Sequence, residues 1–190
     1  MWSVIKKQNL FNNIKKDLFK KKEQKKALYF LLIFLFFFTI IYLLLAETFF
    51  YKQINLFFGI ASSFLLNLFG ISNLFFYDSV IKSSTVVISS LEYPLIINKL
   101  CTGILEFSLL SAAILASKGI PIIKRIIGFL ISILVVMFFN IFRISLTGYL
   151  IVHLNIFWAE IFHAVLFRLF LVIIVIGTYY LWFKKNIKKK

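Results

Sequence analysis

The sequence predicts an all-α integral membrane helical bundle with about four transmembrane helices, an outer helix that is interfacial or re-entrant, and a short external β-hairpin. Three observations predict it. Of 190 residues, 62% are hydrophobic and 19% aromatic, far more than a soluble core takes up. The apolar residues fall in runs near the ~20 residues that a bilayer-crossing helix needs. The formal charge of +15 is concentrated beside those runs: of 22 Lys and Arg, nine lie in 1–26, three in 118–125 and five after 183. That placement is what the positive-inside rule expects of cytoplasmic segments. It points to anionic membrane lipids rather than nucleic acid as the partner of the charge.

Residues 1–26 form a basic cytoplasmic segment. Its apolar Val4, Ile5, Leu10, Phe11, Ile14, Leu18 and Phe19 recur every three to four positions, which suits an amphipathic helix on the inner leaflet. Residues 27–46 are a first span, too long in both its basic and apolar parts for a cleaved signal peptide. At the other end, the 184–190 basic tail is cytoplasmic. A span over 161–183, an external loop at 151–160, a span over 126–150, a cytoplasmic loop at 118–125 and a span over 102–117 follow from it in alternation. The membrane-embedded domain is thus 27–183.

Parity then decides residues 54–71, because the chain is outside both after the first span and before Cys101. This segment does not cross. Its polar and small Asn55, Gly59, Ser62, Ser63, Asn67 and Gly70 share one helical face, as in a helix at the outer interface. Residues 83–99 carry two β-favouring runs, one of Thr85, Val86, Val87 and Ile88, the other of Tyr93 to Ile97. Ser89, Ser90, Leu91 and Glu92 separate them, and a hairpin leading to Cys101 is expected.

The single cysteine excludes an internal disulfide, and two histidines without HExxH spacing argue against a zinc hydrolase, so no metal and no cofactor is expected. Charged groups within apolar spans cost about 2.5–3.5 kcal/mol at a helix centre and need a reason to be there. Glu106, Arg143, His163 and Arg168 are such groups. Glu106 with one arginine reads naturally as a structural ion pair. Cys101, Arg143 and His163 are different, since they reach one outer depth from three spans. Asn140 shares the face of Arg143 and is placed to hydrogen-bond its guanidinium. A thiol needs a neighbouring base or cation to become an effective nucleophile, and this grouping offers both.

Cys101-Thr102-Gly103-Ile104, Asn140-Ile141-Phe142-Arg143-Ile144 and Phe162-His163 resemble, in order and spacing, the three motif regions of the exosortase/archaeosortase family, over roughly 28–183. The resemblance implies a membrane cysteine transpeptidase of the cell membrane, multi-pass, with its site at the extracytoplasmic face. Such an enzyme cleaves carboxyl-terminal sorting signals of exported proteins and joins the new end to a lipid or other amine acceptor. By position, Cys101 is the nucleophile, Arg143 stabilises the thiolate or oxyanion, and His163 transfers the proton. Gly103 and Asn140 support them. Some archaeal members carry an arginine as the third residue, so Arg168 is the fallback. Five α-helical residues turn through about 500°, which leaves Arg168 about 140° from His163 and outside one shared site. The competing class is a non-enzymatic membrane assembly or transport subunit, with Arg143, Glu106 and Arg168 as structural polar contacts.

Overall fold

The computed structural model describes the backbone of residues 2–80, 82–89, 94–154 and 156–187, and side chains from residue 22 onward except 156, 160 and 164. The elements are α1 (Trp2–Glu47), α2 (Phe49–Leu68), β1 (Asn73–Asp78), β2 (Ser83–Ile88), β3 (Leu95–Ile97), α3 (Ile104–Ala116), α4 (Ile122–His153), α5 (Ile156–Ile161), a π-helical turn (Phe162–Leu166) and α6 (Phe167–Ile187). Four of them contain stretches long and apolar enough to cross a membrane: α1 from Lys22 to Glu47, α2, α4 and α6.

No Gly or Pro occurs before Gly59, so nothing breaks α1 between its basic and apolar parts. The expected separate surface helix over 1–26 is therefore replaced by one continuous helix. The amphipathic pattern assigned to residues 4–19 lies outside the described side chains. Thr48 ends α1 by donating its hydroxyl to Leu44 O. The same oxygen accepts from Phe50 N at 3.3 Å and so caps α2.

Contacts along the helices fix their register. Lys118 Nζ lies over the Tyr29 ring at 3.0 Å, while Ala46 packs with Ile104; α1 and α3 are antiparallel. Ser111 and Ser132 share a hydrogen bond at 2.9 Å between α3 and α4. The Phe139 and Phe170 rings sit 5.7 Å apart and Trp182 Nε1 donates to Lys124 O at 3.3 Å, so α6 runs back along α4. The bundle thus has a basic end, near Lys118 and Lys184, and a sheet end.

At 32 residues, α4 is about 48 Å long and exceeds the ~30 Å hydrocarbon layer. Its first half packs against α3 and α6. Its second half extends past Ile104 to meet α2 and the sheet, where Ser145 Oγ donates to Ser62 O at 3.3 Å. Helix α2 therefore continues beyond the end of α1 instead of running back beside it. Its polar face is turned inward: Asn55 and Ser62 are buried, whereas Phe57, Ile60, Phe64 and Leu68 are exposed. This reverses the orientation of an interfacial helix with its polar face to water. Gly59 lets the sheet approach, since a Cβ there would overlap Phe75 and Ser84.

The predicted hairpin is present as β2 and β3, antiparallel with Ser84 opposite Ile97 and Val86 opposite Leu95. Its turn, residues 90–93, lies outside the described residues. A further strand, β1, pairs along all of β2 and makes the sheet three-stranded. Three other boundaries differ from expectation. The 118–125 loop shrinks because α4 starts at Ile122, directly after Pro121. The 151–160 loop is mostly helical, with α4 reaching His153 and α5 beginning at Ile156. Helix α3 has 13 residues, about 20 Å, shorter than the span predicted over 102–117.

Candidate active site at the Cys101 turn

Cys101 lies on a tight turn between β3 and α3. Asn98 shapes that turn twice, its carbonyl accepting from Cys101 N at 2.9 Å and its Oδ1 from Leu100 N at 2.9 Å. Thr102 Oγ1 donates to Lys99 O at 2.9 Å. Gly103 closes the turn with φ +69°, and a Cβ there would run into Asn140 and Val136. A residue with a side chain would be strained by that backbone angle and would also push the turn off α4. Glycine thus presses the Cys101 turn onto α4 one helical turn before Arg143.

Arg143 is 4% exposed and Cys101 8%, so the guanidinium and thiol both lie away from bulk water. Arg143 Nη2 donates to Leu100 O at 3.0 Å, the carbonyl of the peptide bond that leads into Cys101. Glu106, two positions into α3, forms no ion pair with Arg143 or Arg168 among the described residues. The expected structural Glu–Arg pair is therefore not closed. Asn140 does not hold the guanidinium either. Its Nδ2 donates to Val136 O at 2.9 Å, because the close approach of Gly103 occupies its outer side.

Glu106 Oε2, Asn140 Oδ1 and Arg143 Nε are buried with no hydrogen-bond partner among the described residues. Each such atom costs about 1–3 kcal/mol. Three of them beside one cysteine mark a place where polar capacity is held open rather than consumed by packing.

His163 joins from the π-helical turn. Its Nδ1 lies 3.2 Å from Thr147 Oγ1, and that hydroxyl also donates to Arg143 O at 2.9 Å. His163 is thus tied to Arg143 through Thr147. No hydrogen bond between His163 and Cys101 occurs among the described residues. Arg143 itself lies ten residues from the end of α4, about 15 Å, deeper than the ~10 Å the shorter predicted span implied. Thr147 was missed in the sequence, although it stands four residues after Arg143 on the same helical face.

The angular separation of His163 and Arg168 also needs correction. The count of 140° assumes an α-helix, but Phe167 N bonds Phe162 O, a π-type i to i+5 bond that winds more slowly. The slower winding turns Arg168 back toward the face of His163. The Arg168 side chain is exposed.

A thiol, a guanidinium, a carboxylate and an imidazole gathered at one level of an apolar helical bundle define a multi-pass membrane protein with a built polar site. The transmembrane exosortase family model matches residues 18–179, which include every one of these groups, and the chain belongs to that family. No curated protein and no solved structure matches the chain.

Proposed function

We propose that this exosortase-family protein is a membrane-embedded cysteine transpeptidase acting on exported proteins that carry a carboxyl-terminal sorting signal. The observation that carries the reading is the buried guanidinium of Arg143 donating to Leu100 O, the carbonyl of the peptide bond that leads into the likewise buried Cys101. A guanidinium there favours a thiolate and offers N–H groups to a developing oxyanion.

In the reaction, the Cys101 thiolate attacks the scissile carbonyl carbon and forms a C–S bond. Collapse of the tetrahedral intermediate breaks the C–N bond, and the leaving amine takes a proton from His163. The neutral imidazole then accepts a proton from an acceptor amine, which attacks the thioester and restores the thiolate. The acceptor is a lipid or another amine-bearing molecule. The thiol supplies the nucleophile and the bundle supplies a site from which competing water is restricted.

Cys101→Ala is expected to abolish processing, followed as gel mobility of an exported substrate in cells at matched enzyme levels. Cys101→Ser should be nearly as inactive, because a hydroxyl is a weaker nucleophile and needs a stronger base. Normal processing by Cys101→Ala would sink the peptidase reading. In the same assay His163→Ala should stop turnover and Arg168→Ala should not; the reverse pattern moves proton transfer to the arginine.

The site is assigned to the extracytoplasmic face of the cell membrane, since 17 of 22 basic residues lie at the other end or in the flanking termini. A reporter fused at Asn73 should read as external. A cytoplasmic reading there places the site on the wrong side.

A further inference from the structure

A cleft of about 470 Å³ lies between the α1–α2 junction and β3, and Leu100, the neighbour of Cys101, forms part of its wall. Along one side runs β3, one of the two edge strands of the sheet. The direction of its backbone groups follows from Asn55. That side chain accepts from Ser84 N at 2.5 Å and donates to Ile97 O at 2.7 Å. Ser84 and Ile97 are opposite one another, so only the gap between β2 and β3 lets one amide reach both. Ile97 therefore turns its backbone groups toward β2. Backbone N–H and C=O directions alternate from residue to residue in an extended strand, and Ile96 turns both of its groups to the free side.

Ile96 lines the cleft. So does Ser83, whose hydroxyl is buried and without a hydrogen-bond partner among the described residues. The Tyr51 hydroxyl accepts from Asn55 at 3.2 Å, which leaves its proton for a ligand in the same cleft. An outward donor and acceptor on one residue of an edge strand are complementary to an extended peptide backbone. A lipid headgroup also carries donors and acceptors, but without the repeat of an extended chain that continues along a strand edge.

We infer that the substrate polypeptide binds as an added strand along β3, pairing its backbone with Ile96 so that the chain passes through this cleft toward Cys101. The inference rests on the transpeptidase reading for the identity of the peptide, but the binding mode is tested separately. Four residues separate Ile96 from Cys101 in the chain, so a paired peptide needs only a few residues more to reach the thiol, at up to ~3.3–3.6 Å each. Strand addition selects for extended conformation first and leaves side-chain selection to the cleft walls.

The test uses the full-length protein in lipid nanodiscs and a fluorescein-labelled, acetyl-capped hexapeptide of alternating Thr and Val, followed by anisotropy. Saturable binding is expected, weakened about tenfold or more when every peptide nitrogen is methylated, because the peptide can no longer donate to Ile96 O and the methyl groups crowd the strand edge. Ile96→Pro, which removes the outward N–H and leaves the bonds to β2 in place, should weaken the unmethylated peptide by a similar factor. Absence of saturable binding, or equal binding of the methylated peptide, overturns the inference even if Ile96→Pro does not fold. Displacement of the hexapeptide by an equimolar amount of glycerol phosphate would assign the cleft to an anionic headgroup and overturn it too. Cys101→Ala should still bind the hexapeptide, so processing by that variant would defeat the transpeptidase reading without altering this result.

Discussion

The two halves of α4 are one helix doing two jobs. From Ile122 to about Asn140 it exposes Ile123, Ile127, Leu130, Leu134 and Phe138, while its inward contacts are small or apolar: Gly128 under Trp182, Ser132 on Ser111. Beyond Asn140 the inward side carries Arg143, Ser145 and Thr147, all buried, and meets a turn, a polar helix face and a sheet. A bilayer supplies no hydrophobic drive between helices, so the first half relies on close packing and a few hydrogen bonds. The second half can afford buried charge because non-helical backbone, Leu100 O above all, is there to receive it. Polarity rises where the bundle stops being purely helical, and the cysteine sits at that boundary.

The largest way to break this contrast is at Arg143. Arg143→Lys should lower processing about 10²–10³-fold, the range for loss of one oxyanion donor, because an ammonium cannot hold Leu100 O and still present further N–H groups in a planar fork. The measurement is the initial rate of substrate processing with the variant confirmed in the membrane fraction. Wild-type rates in Arg143→Ala would remove the guanidinium from the chemistry and make the second half of α4 as purely structural as the first.

A matched pair of glycines sharpens the comparison. Gly103→Ala forces a side chain onto a backbone at φ +69° and into Asn140, at a cost of about 1–3 kcal/mol in strain. It should also displace the Cys101 turn, so processing falls by at least about tenfold, beyond what the lost stability explains. In Gly128→Ala the new methyl meets the Trp182 indole and Ile114. Thermal unfolding in detergent should show loss of stability there too, with processing per folded molecule unchanged. Equal processing loss in both would mean that α4 transmits strain along its whole length and the halves are not separate.

The sequence made the first half of α4 legible and the second only in part. Long apolar runs and flanking lysines identify spans without any tertiary information, so the helices at 27–46, 126–150 and 161–183 were found, although the first runs on from residue 2 and the last enters through a π-turn before α6. Residues Cys101, Arg143 and His163 stood out because charge and thiol are rare in such runs, and the chain folds them to one level. Failures came where a pattern depends on what lies opposite. The polar face of α2 was assigned to water, but Asn55 and Ser62 serve the sheet and α4. Strand β1 was missed because Asn73–Asp78 has too few alternating positions to stand out beside an apolar helix. The π-turn cannot be read from periodicity, since one inserted residue leaves the apolar pattern almost unchanged, and with it went the angle between His163 and Arg168.

The smallest expected effect tests the first half directly. Ser132 Oγ lies 2.9 Å from Ser111 Oγ and 2.6 Å from Phe129 O, and both serines are fully buried. Hydrogen bonds between helices in a bilayer average only about 0.6 kcal/mol, because the separated helices find other partners. Ser132→Ala leaves Ser111 able to turn its hydroxyl back to its own helix, so nothing buried and polar is stranded. The variant should therefore lose about 0.6 kcal/mol in equilibrium unfolding and process substrate at the wild-type rate. A loss of several kcal/mol would show that this serine pair anchors α3 to α4. Since α3 begins at the Cys101 turn, a drop in processing with unchanged stability would carry the site's influence into the half of α4 that is otherwise packing alone.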